Sequence, residues 1–343
     1  MKRAMLLKAA RGVLLGVVLL LAAFIVWLVR ALDAPAAPAA AGEGVFFAVE
    51  KGWSARTVIE RLEDRGIVRG ALPLRLACRL FYPGRSFKAG EYLFTPPLTA
   101  KDALFALFGG RVHLVPVTIP EGLTGGETAA LLKPGDAEGA AAFRAAFRDV
   151  ALIADLDPRA ADLEGYLFPE TYSLPRKAPA SDLVAAMVAG FRRVFDEGRH
   201  RRAAELGMSV RDVVTLASLI EEETARPEER PLVSAVFHNR LRIGMKLDCD
   251  PTVAYALKRE GRYTGRLLLR DLTVDSPYNT YLHAGLPPGP ICSPGLSSLD
   301  AALRPAPGGY LYFVADGDGG HRFSLTLGEH LDAVKKYRAL KKR

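Results

Sequence analysis

The sequence is poor in the residues that build metal centres and thiol chemistry. It has three cysteines and six histidines among its 343 residues. Cys78, Cys249 and Cys292 are too widely spaced for a zinc-binding pattern, and no histidine accompanies them in a recognisable arrangement. We therefore predict no metal site and interpret the cysteines as buried free thiols rather than nucleophiles. One disulfide is possible in an exported domain, and the spacing leaves its pairing open.

No stripe of basic residues interleaved with aromatic residues runs through the chain, although its net charge is +8. The basic excess lies at the two ends. The first 30 residues carry five basic side chains and no acid, and the chain finishes with KKYRALKKR. Nucleic-acid-binding domains cluster such charge on one face. The distribution argues against nucleic acid as a partner, and we interpret the C-terminal tail as a solvated helix end.

The chain has one long uncharged apolar run, GVLLGVVLLLAAFIVWLV at Gly12–Val29. Its eighteen residues are close to the length that crosses a bilayer. Because basic residues precede it, the positive-inside rule places residues 1–11 in the cytoplasm and the remainder outside. A cleaved signal peptide is the alternative, with AAPAAA at Ala36–Ala41 resembling a cleavage site. The length of the run favours an uncleaved anchor, and an Ala/Pro-rich linker follows at residues 30–44.

Residues 45–117 have the pattern of a small α+β domain. VFFAVE predicts a strand, Ser54 a helix N-cap, and Leu72–Phe81 a second helix. FKAGEYLFTP then predicts a strand, and LTAKDALFALFGG predicts a helix closed by glycines. This order of elements resembles a LysM-like carbohydrate-binding module. A spacer domain without a ligand fits the pattern equally well, because a fold alone does not establish binding.

The central stretch, Val213–Tyr255, begins as an apolar helix and runs into three acids. On a wheel of about 100° per residue, one face is made by Val213, Leu216, Leu219 and Ile220. Glu223 falls on that face, whereas Glu221 and Glu222 point away from it. A carboxylate on a buried face is costly to ionise unless it is paired, so Glu223 is the candidate for acid–base chemistry. Three acids near a helix end also suit a solvated face, and the pattern alone leaves this open.

Two irregular segments supply polar and aromatic side chains for a cleft. LEGYLFPETYSLP, at Leu163–Pro175, places two tyrosines and a phenylalanine around Glu164 and Glu170. Aromatic faces and carboxylates suit a sugar-binding cleft, although an aromatic-anchored core loop fits the same residues. The Pro/Gly-rich segment Arg270–Gly295 contains YNTY and is predicted to be an ordered, functional loop. A hairpin with a DGDGG turn is predicted at Gly308–Ser324.

Seven motifs carry a resemblance to a known family. In chain order they are FKAGEYLFTP, EGYLFPETY, ASLIEEET, SAVFHNRLRIGMKLDCDPTVAY, YNTYLHAGLPPGPI, SPG and YLYFVADGDGGH. In order and spacing they resemble the endolytic murein transglycosylases (YceG-like family), over nearly everything from Val45 to the C-terminus. The catalytic acid of that family is the second glutamate of an E-x-E-T motif, which implies Glu223 here and makes Glu221 the first acid. Glu222 stands where a lysine is common, and its charge is expected to raise the pKa of Glu223 further.

The resemblance implies an enzyme of the bacterial inner membrane with its catalytic domain, residues 118–343, in the periplasm. The implied reaction cleaves the β-1,4 bond between N-acetylmuramic acid and N-acetylglucosamine in nascent peptidoglycan strands. It leaves 1,6-anhydromuramyl ends, terminates strand elongation and makes peptidoglycan synthases possible partners. No metal or organic cofactor is implied. The expected fold is α+β: one transmembrane helix at residues 12–29, the small LysM-like domain at 45–117, and a larger mixed α+β catalytic domain.

The residues expected to bind or orient the glycan around Glu223 are polar groups of the same segments. They are Glu170, Glu221, Asn239, Asp250, Tyr278, Asn279 and Thr280. Asn239 and Asp250 have a structural alternative as helix caps, and Asp250 before Pro251 is the usual N-cap arrangement. Two alternatives to the whole assignment are a hydrolytic muramidase and a non-catalytic, membrane-tethered scaffold that binds peptidoglycan.

Overall fold

The computed structural model describes residues 2–35, 44–132 and 137–341. Most of the predicted Ala/Pro linker, including the cleavage-like segment Ala36–Ala41, lies outside the described residues. The last two residues of the basic tail also lie outside them.

Unit 1, made of Met1–Val115 with Pro175–Lys177, contains a small α+β domain and a long N-terminal helix. Its elements are α1 (Lys2–Asp33), β1 (Val45–Val49), α2 (Ala55–Asp64), α3 (Ala71–Phe81), β2 (Gly90–Phe94) and α4 (Ala100–Gly109). β1 and β2 pair in antiparallel fashion. The predicted order of strands and helices is confirmed, as is the Ser54 cap, whose side chain accepts a hydrogen bond from the Thr57 N–H. Likeness to a LysM module remains a prediction.

The N-terminal helix α1 is longer than the apolar run that predicted it. Its segment Ala10–Asp33 has a mean hydropathy of 2.9 and is long and apolar enough to cross a membrane. α1 packs against α3 and α4 near its C-terminal end, where Leu28 is buried. Most other apolar side chains of this segment are exposed. An exposed apolar helix of this length is a candidate membrane span.

Unit 2, made of Pro116–Leu174 with Ala178–Arg343, holds the larger core. From the boundary onward the elements are β3 (Leu114–Thr118), α5 (Gly125–Leu131), α6 (Ala137–Phe147), β4 (Thr171–Pro175), α7 (Ala180–Val194), α8 (Glu197–Glu205), α9 (Val210–Glu223), α10 (Arg230–Arg242), α11 (Asp250–Arg259), α12 (Leu296–Leu303), β5 (Tyr312–Ala315), β6 (His321–Ser324) and α13 (Leu327–Leu340). Short 3-10 helices lie at Val150–Ile153, Pro227–Glu229 and Leu269–Thr273. β3 pairs with β4, and β5 pairs with β6.

The helix α9 lies at the centre of unit 2. Ser209 caps its first turn in a reciprocal box with Asp212, in which each side chain accepts a hydrogen bond from the other residue's backbone N–H. Every residue from Val213 to Ile220 is buried, because α8, α10, α11 and α12 surround the helix. A helix that is apolar almost all round belongs inside a core. The predicted single apolar face was therefore too narrow, although all four residues assigned to it are buried.

The Pro/Gly-rich segment Arg270–Gly295 is an ordered loop fixed by its own side chains, as predicted. Asn279 is fully buried, and its amide donates hydrogen bonds to the carbonyls of Leu272 and Val274. Further along, the Ile291 N–H donates to the Ser218 hydroxyl on α9. These contacts carry the loop across the end of the central helix.

The predicted hairpin is also confirmed, with β5 and β6 joined through the DGDGG turn. The Asp316 carboxylate accepts hydrogen bonds from the backbone N–H groups of Asp318 and Gly320. Aspartate side chains commonly stabilise turns in this way.

Candidate active site

The candidate acid, Glu223, is the last residue of α9. Thr224 turns the chain into an extended conformation immediately after it. The residue retains partial solvent exposure, but its carboxyl group is enclosed, and this burial raises the pKa of Glu223 from the usual 4.5 to about 7. A carboxyl group with this pKa can both donate and accept a proton near neutral pH, which is what general acid–base catalysis requires.

Four groups act on the Glu223 carboxyl besides burial. The Cys249 thiol donates a hydrogen bond to it and lowers its pKa, whereas the charge of Asp250 raises it. His321 and Arg240 lie near enough to favour the ionised form and lower the pKa of Glu223. The repulsion expected from Glu222 is not among these main influences; Asp250 is the nearby acid with that effect.

Thr280 and Cys249 connect the YNTY loop to the candidate acid. The Thr280 hydroxyl accepts a hydrogen bond from the Cys249 N–H at 3.0 Å and lies 3.0 Å from the Thr252 hydroxyl. Cys249 is the N-cap of α11, and Asp250 is the first helical residue, so the predicted Asp250 cap is displaced by one position. Asp250 instead accepts a hydrogen bond from the Tyr281 hydroxyl at 2.7 Å. Thr280 thus holds the thiol that contacts Glu223.

Glu221 was predicted to point away from the apolar face that carries Glu223, and the side of α9 on which it lies is buried as well. Its side chain is only 6% exposed and forms an ion pair with Arg230 at 2.7 Å. Its second oxygen accepts the Gly295 N–H at the start of α12. The alternative of a solvated face is wrong for Glu221, because Arg230 and Gly295 supply polar partners on this side of α9. Glu222 is exposed, as predicted, and interacts with Lys258 on α11.

A hydrogen-bonded network supports the residue that follows Glu223. The Thr224 hydroxyl donates to the Glu229 carboxylate, which also accepts from the His321 N–H at 2.9 Å and lies 2.7 Å from His321 Nδ1. Burial opposes the ionisation of Glu229, but its hydrogen bonds with His321 outweigh this and lower the pKa of Glu229. The network ties the β5–β6 hairpin to the end of α9.

Asn239 and Arg240 hold the same hairpin from α10. The Asn239 amide donates to the carbonyls of Gly308 and Tyr310 at 2.9 and 3.0 Å. The Arg240 guanidinium donates to the carbonyl of Leu311 at 2.7 Å. Asn239 lies within α10 and does not cap it, so its amide positions the hairpin.

The remaining predicted residues lie in other surroundings. The Tyr278 hydroxyl accepts a hydrogen bond from Arg259, and its ring packs at 5.0 Å from that of Tyr255. The Asn279 amide is used within its own loop. Glu170 is half-exposed and forms an ion pair with Arg193 at 2.6 Å. The structure therefore brings Asp250 and Thr280 to Glu223, places Glu221 on the same helix end, and gives Glu170 a partner elsewhere.

The aromatic side chains of Leu163–Pro175 do not form a stacking platform. Tyr166, Phe168 and Tyr172 are 1%, 8% and 8% exposed, so the core-loop interpretation is the correct one. Glu164 in this segment is buried, and its carboxyl accepts hydrogen bonds from the Gly125 N–H and the Tyr255 hydroxyl. Burial raises the pKa of Glu164 to about 8.

Sequence reasoning missed Cys249, Glu229, Arg240 and His321 as parts of the site. All except Glu229 lay inside quoted motifs, but nothing in one sequence showed that they converge on α9 from four different elements. All three cysteines are free, as predicted; Cys249 and Cys292 are fully buried, and Cys78 is partly so. Among the described residues no group of three or more potential metal ligands occurs.

Comparison with known proteins places these features in context. Residues 47–336 match the YceG-like family. An endolytic murein transglycosylase of Bacillus subtilis (strain 168) is 44% identical over 178 residues, covering 51% of this chain and 48% of the relative. One from Streptococcus pneumoniae (strain D39) is 28% identical over 298 residues, covering 78% and 53%. The chain thus spans about half the length of these curated relatives.

The fold also has a solved counterpart. The 2.6 Å crystal structure of a YceG-like protein from Listeria monocytogenes superposes with a TM-score of 0.57 at 31% sequence identity. The match covers 84% of this chain and 98% of the Listeria chain.

Proposed function

This chain belongs to the YceG-like family, and from that premise we propose that it is an endolytic lytic transglycosylase acting on peptidoglycan. The bond cut is the β-1,4 linkage between N-acetylmuramic acid and N-acetylglucosamine. The observation that carries the proposal is Glu223: an enclosed carboxyl group, on a partly exposed residue at the end of a buried helix, with a pKa of about 7. Such a group is protonated in a substantial fraction of molecules at neutral pH, as a general acid must be.

The proposed reaction uses Glu223 twice. Its proton passes to the glycosidic oxygen as the bond from that oxygen to the anomeric carbon of the muramyl residue breaks. The C6 hydroxyl of the same residue then attacks the anomeric carbon, and the Glu223 carboxylate takes up the hydroxyl proton. The acid is restored, a 1,6-anhydromuramyl end forms, and no water is consumed. The attacking group is part of the same sugar, so proximity favours ring closure over hydrolysis.

The surroundings of Glu223 support a mechanism with one carboxyl group. Hydrolysing glycosidases normally use two free carboxyl groups that flank the bond. Here Glu221 is held by Arg230 and Gly295, and Glu229 is held by Thr224 and His321. Asp250 accepts a hydrogen bond from Tyr281 and acts on Glu223 through its charge.

The other predicted residues differ in whether they are proposed to contact the glycan or to position the elements around it. Asp250, whose side chain remains accessible, is proposed to contact the glycan. Thr280, Asn279 and Asn239 are buried and use their polar groups on the protein, so we assign them to positioning the loop and the hairpin beside the glycan. Contacts of Tyr278, Glu170 or Glu221 with the glycan stay predictions.

The cellular setting is proposed from the N-terminal helix. α1 would anchor the protein in the inner membrane with its basic N-terminus in the cytoplasm and unit 2 in the periplasm. Nascent strands made at the same membrane would then lie within reach, so cleavage would terminate their elongation beside peptidoglycan synthases. Unit 1 would serve as a LysM-like glycan-binding module or as a spacer.

The test is the Glu223→Gln variant on purified sacculi, with mass analysis of the released fragments. Glutamine keeps the shape but has no proton to donate, so release of anhydromuramyl fragments should stop. Glu222→Gln, which alters the neighbouring exposed acid, is the matched control and should stay active. Wild-type fragments that have each gained one water would identify a muramidase. Fragment release that is unchanged by Glu223→Gln refutes the assignment of the acid, and no release by the wild type favours the binding scaffold.

A further inference from the structure

A cavity lies in unit 2 at the C-terminal end of α11, the helix that begins next to the candidate active site. The cavity has a volume of about 360 Å³, a size within the range of about 300–1,000 Å³ typical of ligand pockets. The residues that give it its chemical character are Arg144, Arg148, Lys258, Arg259, Tyr255 and Glu164. We call it the basic cavity.

The charge of the basic cavity is positive. Arg144 lies in the last turn of α6 and Arg148 directly follows the helix, and both side chains line the cavity. Both are exposed, and neither has an ion-pair partner among the described residues. Arg259 donates a hydrogen bond to the Tyr278 hydroxyl, and the charge of Asp162 in the cavity wall also acts on it. Lys258 is the exception, since it lies 2.8 Å from the Glu127 carboxylate.

The acids in the wall of the cavity do not cancel this charge. Asp162 contributes one negative charge. Glu164 is buried beneath Tyr255, and because burial raises its pKa to about 8 it is largely neutral at neutral pH. The cavity therefore contains three guanidinium groups, one carboxylate from Asp162, and the largely neutral carboxyl group of Glu164. The arrangement suits a ligand that brings its own carboxylates, because guanidinium groups bind carboxylates through paired hydrogen bonds.

The helix α11 links the basic cavity to Glu223. It begins at Asp250, whose charge acts on Glu223, and its last turn carries Lys258 and Arg259 in the cavity wall. Eight residues of helix separate Asp250 from Lys258, a distance of about 12 Å. Glu222 follows the same direction: it is the neighbour of Glu223 in the chain, and its charge interacts with Lys258 in the cavity wall.

That distance matches the reach of a branch on the proposed substrate. An extended peptide spans at most about 3.3–3.6 Å per residue, so three or four residues cover about 12 Å. In peptidoglycan the muramyl residue carries a short peptide that contains free carboxylates. A muramyl residue held at Glu223 would start this branch at one end of α11 and bring its carboxylates to the other.

We propose that the basic cavity binds the acidic peptide branch of the muramyl residue whose bond is cut. This inference rests on the proposed function, since it assumes that Glu223 cleaves peptidoglycan. Unit 2 would then recognise the peptide of the substrate as well as its sugar. Strands that carry acidic peptides are then cleaved in preference to strands from which the peptides have been removed.

The test compares two substrates made from the same sacculi: glycan strands with their peptides, and strands stripped by an amidase. The enzyme is the full chain in detergent micelles. In the double variant Arg144→Gln/Arg148→Gln, kcat/KM on peptide-bearing strands should fall about ten- to a hundredfold, as expected for lost charge-assisted contacts. On stripped strands it should be unchanged. A control double variant, Arg201→Gln/Arg338→Gln, removes two exposed charges elsewhere in unit 2 and should affect neither substrate.

Direct binding separates this inference from the proposed reaction. Calorimetry with a soluble stem peptide and the Glu223→Gln protein measures the affinity of the basic cavity for the peptide in the absence of cleavage. Binding about tenfold or more weaker in the Arg144/Arg148 variant supports the inference. Equal binding by both proteins overturns it, as does an equal loss of activity on both substrates. Inorganic phosphate that binds as tightly as the peptide would assign the cavity to simple anions instead. Loss of cleavage with intact peptide binding would count against the reaction alone.

Discussion

The hydrogen bond from the Cys249 thiol to Glu223 should set the alkaline limit of activity. The ionised carboxylate accepts this bond, so the bond lowers a pKa that burial has raised to about 7. Removing the donor with Cys249→Ala should raise the pKa further. Replacing it by the stronger donor in Cys249→Ser should lower the pKa. The two variants differ by one oxygen atom and are expected to shift the same acid in opposite directions.

The size of the effect follows from the strength of the bond. A net hydrogen bond is worth about 0.5–1.5 kcal/mol, and one pKa unit corresponds to about 1.36 kcal/mol. A thiol is a weak donor, so the low end of this range applies, and Cys249→Ala should raise the pKa by roughly half a unit. The acid must be protonated to act. Activity is therefore present below the folded-state pKa and lost as pH rises through about 7 in the wild type.

The assay is the pH dependence of kcat/KM on peptidoglycan, because its limbs report the ionisation of the free enzyme. The alkaline limb should move up for Cys249→Ala and down for Cys249→Ser. Cys292→Ala is the matched control: Cys292 is also a fully buried thiol, but it interacts with Glu222 rather than with Glu223. Limbs that stay in place, or that move in the same direction for both substitutions, would refute the reasoning.

Three further predictions concern the groups around the site. Arg230→Met should destabilise the protein by about 3–5 kcal/mol by leaving Glu221 buried and unpaired, and Arg230→Met/Glu221→Gln should recover much of the loss in thermal melting. Asn239→Ala should cost about 1–3 kcal/mol in the same assay, because the carbonyls of Gly308 and Tyr310 both lose their hydrogen-bond donor. Glu164 has a raised pKa, so its stabilising effect is present below pH 4.5 and lost as pH rises through about 8. Glu164→Gln should therefore flatten the fall in melting temperature across that window, and an unchanged fall would contradict the assignment.

Local patterns predicted much of this molecule, because they depend on neighbours in the chain. The Ser54 cap, the DGDGG hairpin and the order of elements in unit 1 are confirmed at or near their predicted residues. Helical spacing also selected Glu223 from three consecutive acids. The reason given was burial, and burial is the main cause of its raised pKa.

Features that depend on distant partners were not predictable from one sequence. The burial of Glu221 was not predicted, because the pattern around it does not reveal Arg230 or the Gly295 N–H. The same limit applies to Cys249. The sequence predicted only a buried free thiol, whereas in the structure Thr280 of the YNTY loop holds Cys249 beside Glu223 at the end of α9. The aromatic residues of Leu163–Pro175 suited a sugar platform or a core equally, and only their burial decided between these.

The end of α9 has one more consequence for the proposed reaction. The last carbonyl groups of a helix carry a partial negative charge of about half a unit, which extends over its final turn. Glu223 lies at that end, so the potential of the helix itself discourages the carboxyl group from ionising. The same potential favours the positive charge that develops on a sugar ring as its glycosidic bond breaks. One electrostatic potential, which comes from backbone dipoles rather than from a side chain, thus has two effects. It keeps the proton donor neutral before the reaction, and it stabilises the sugar cation that forms as the bond breaks.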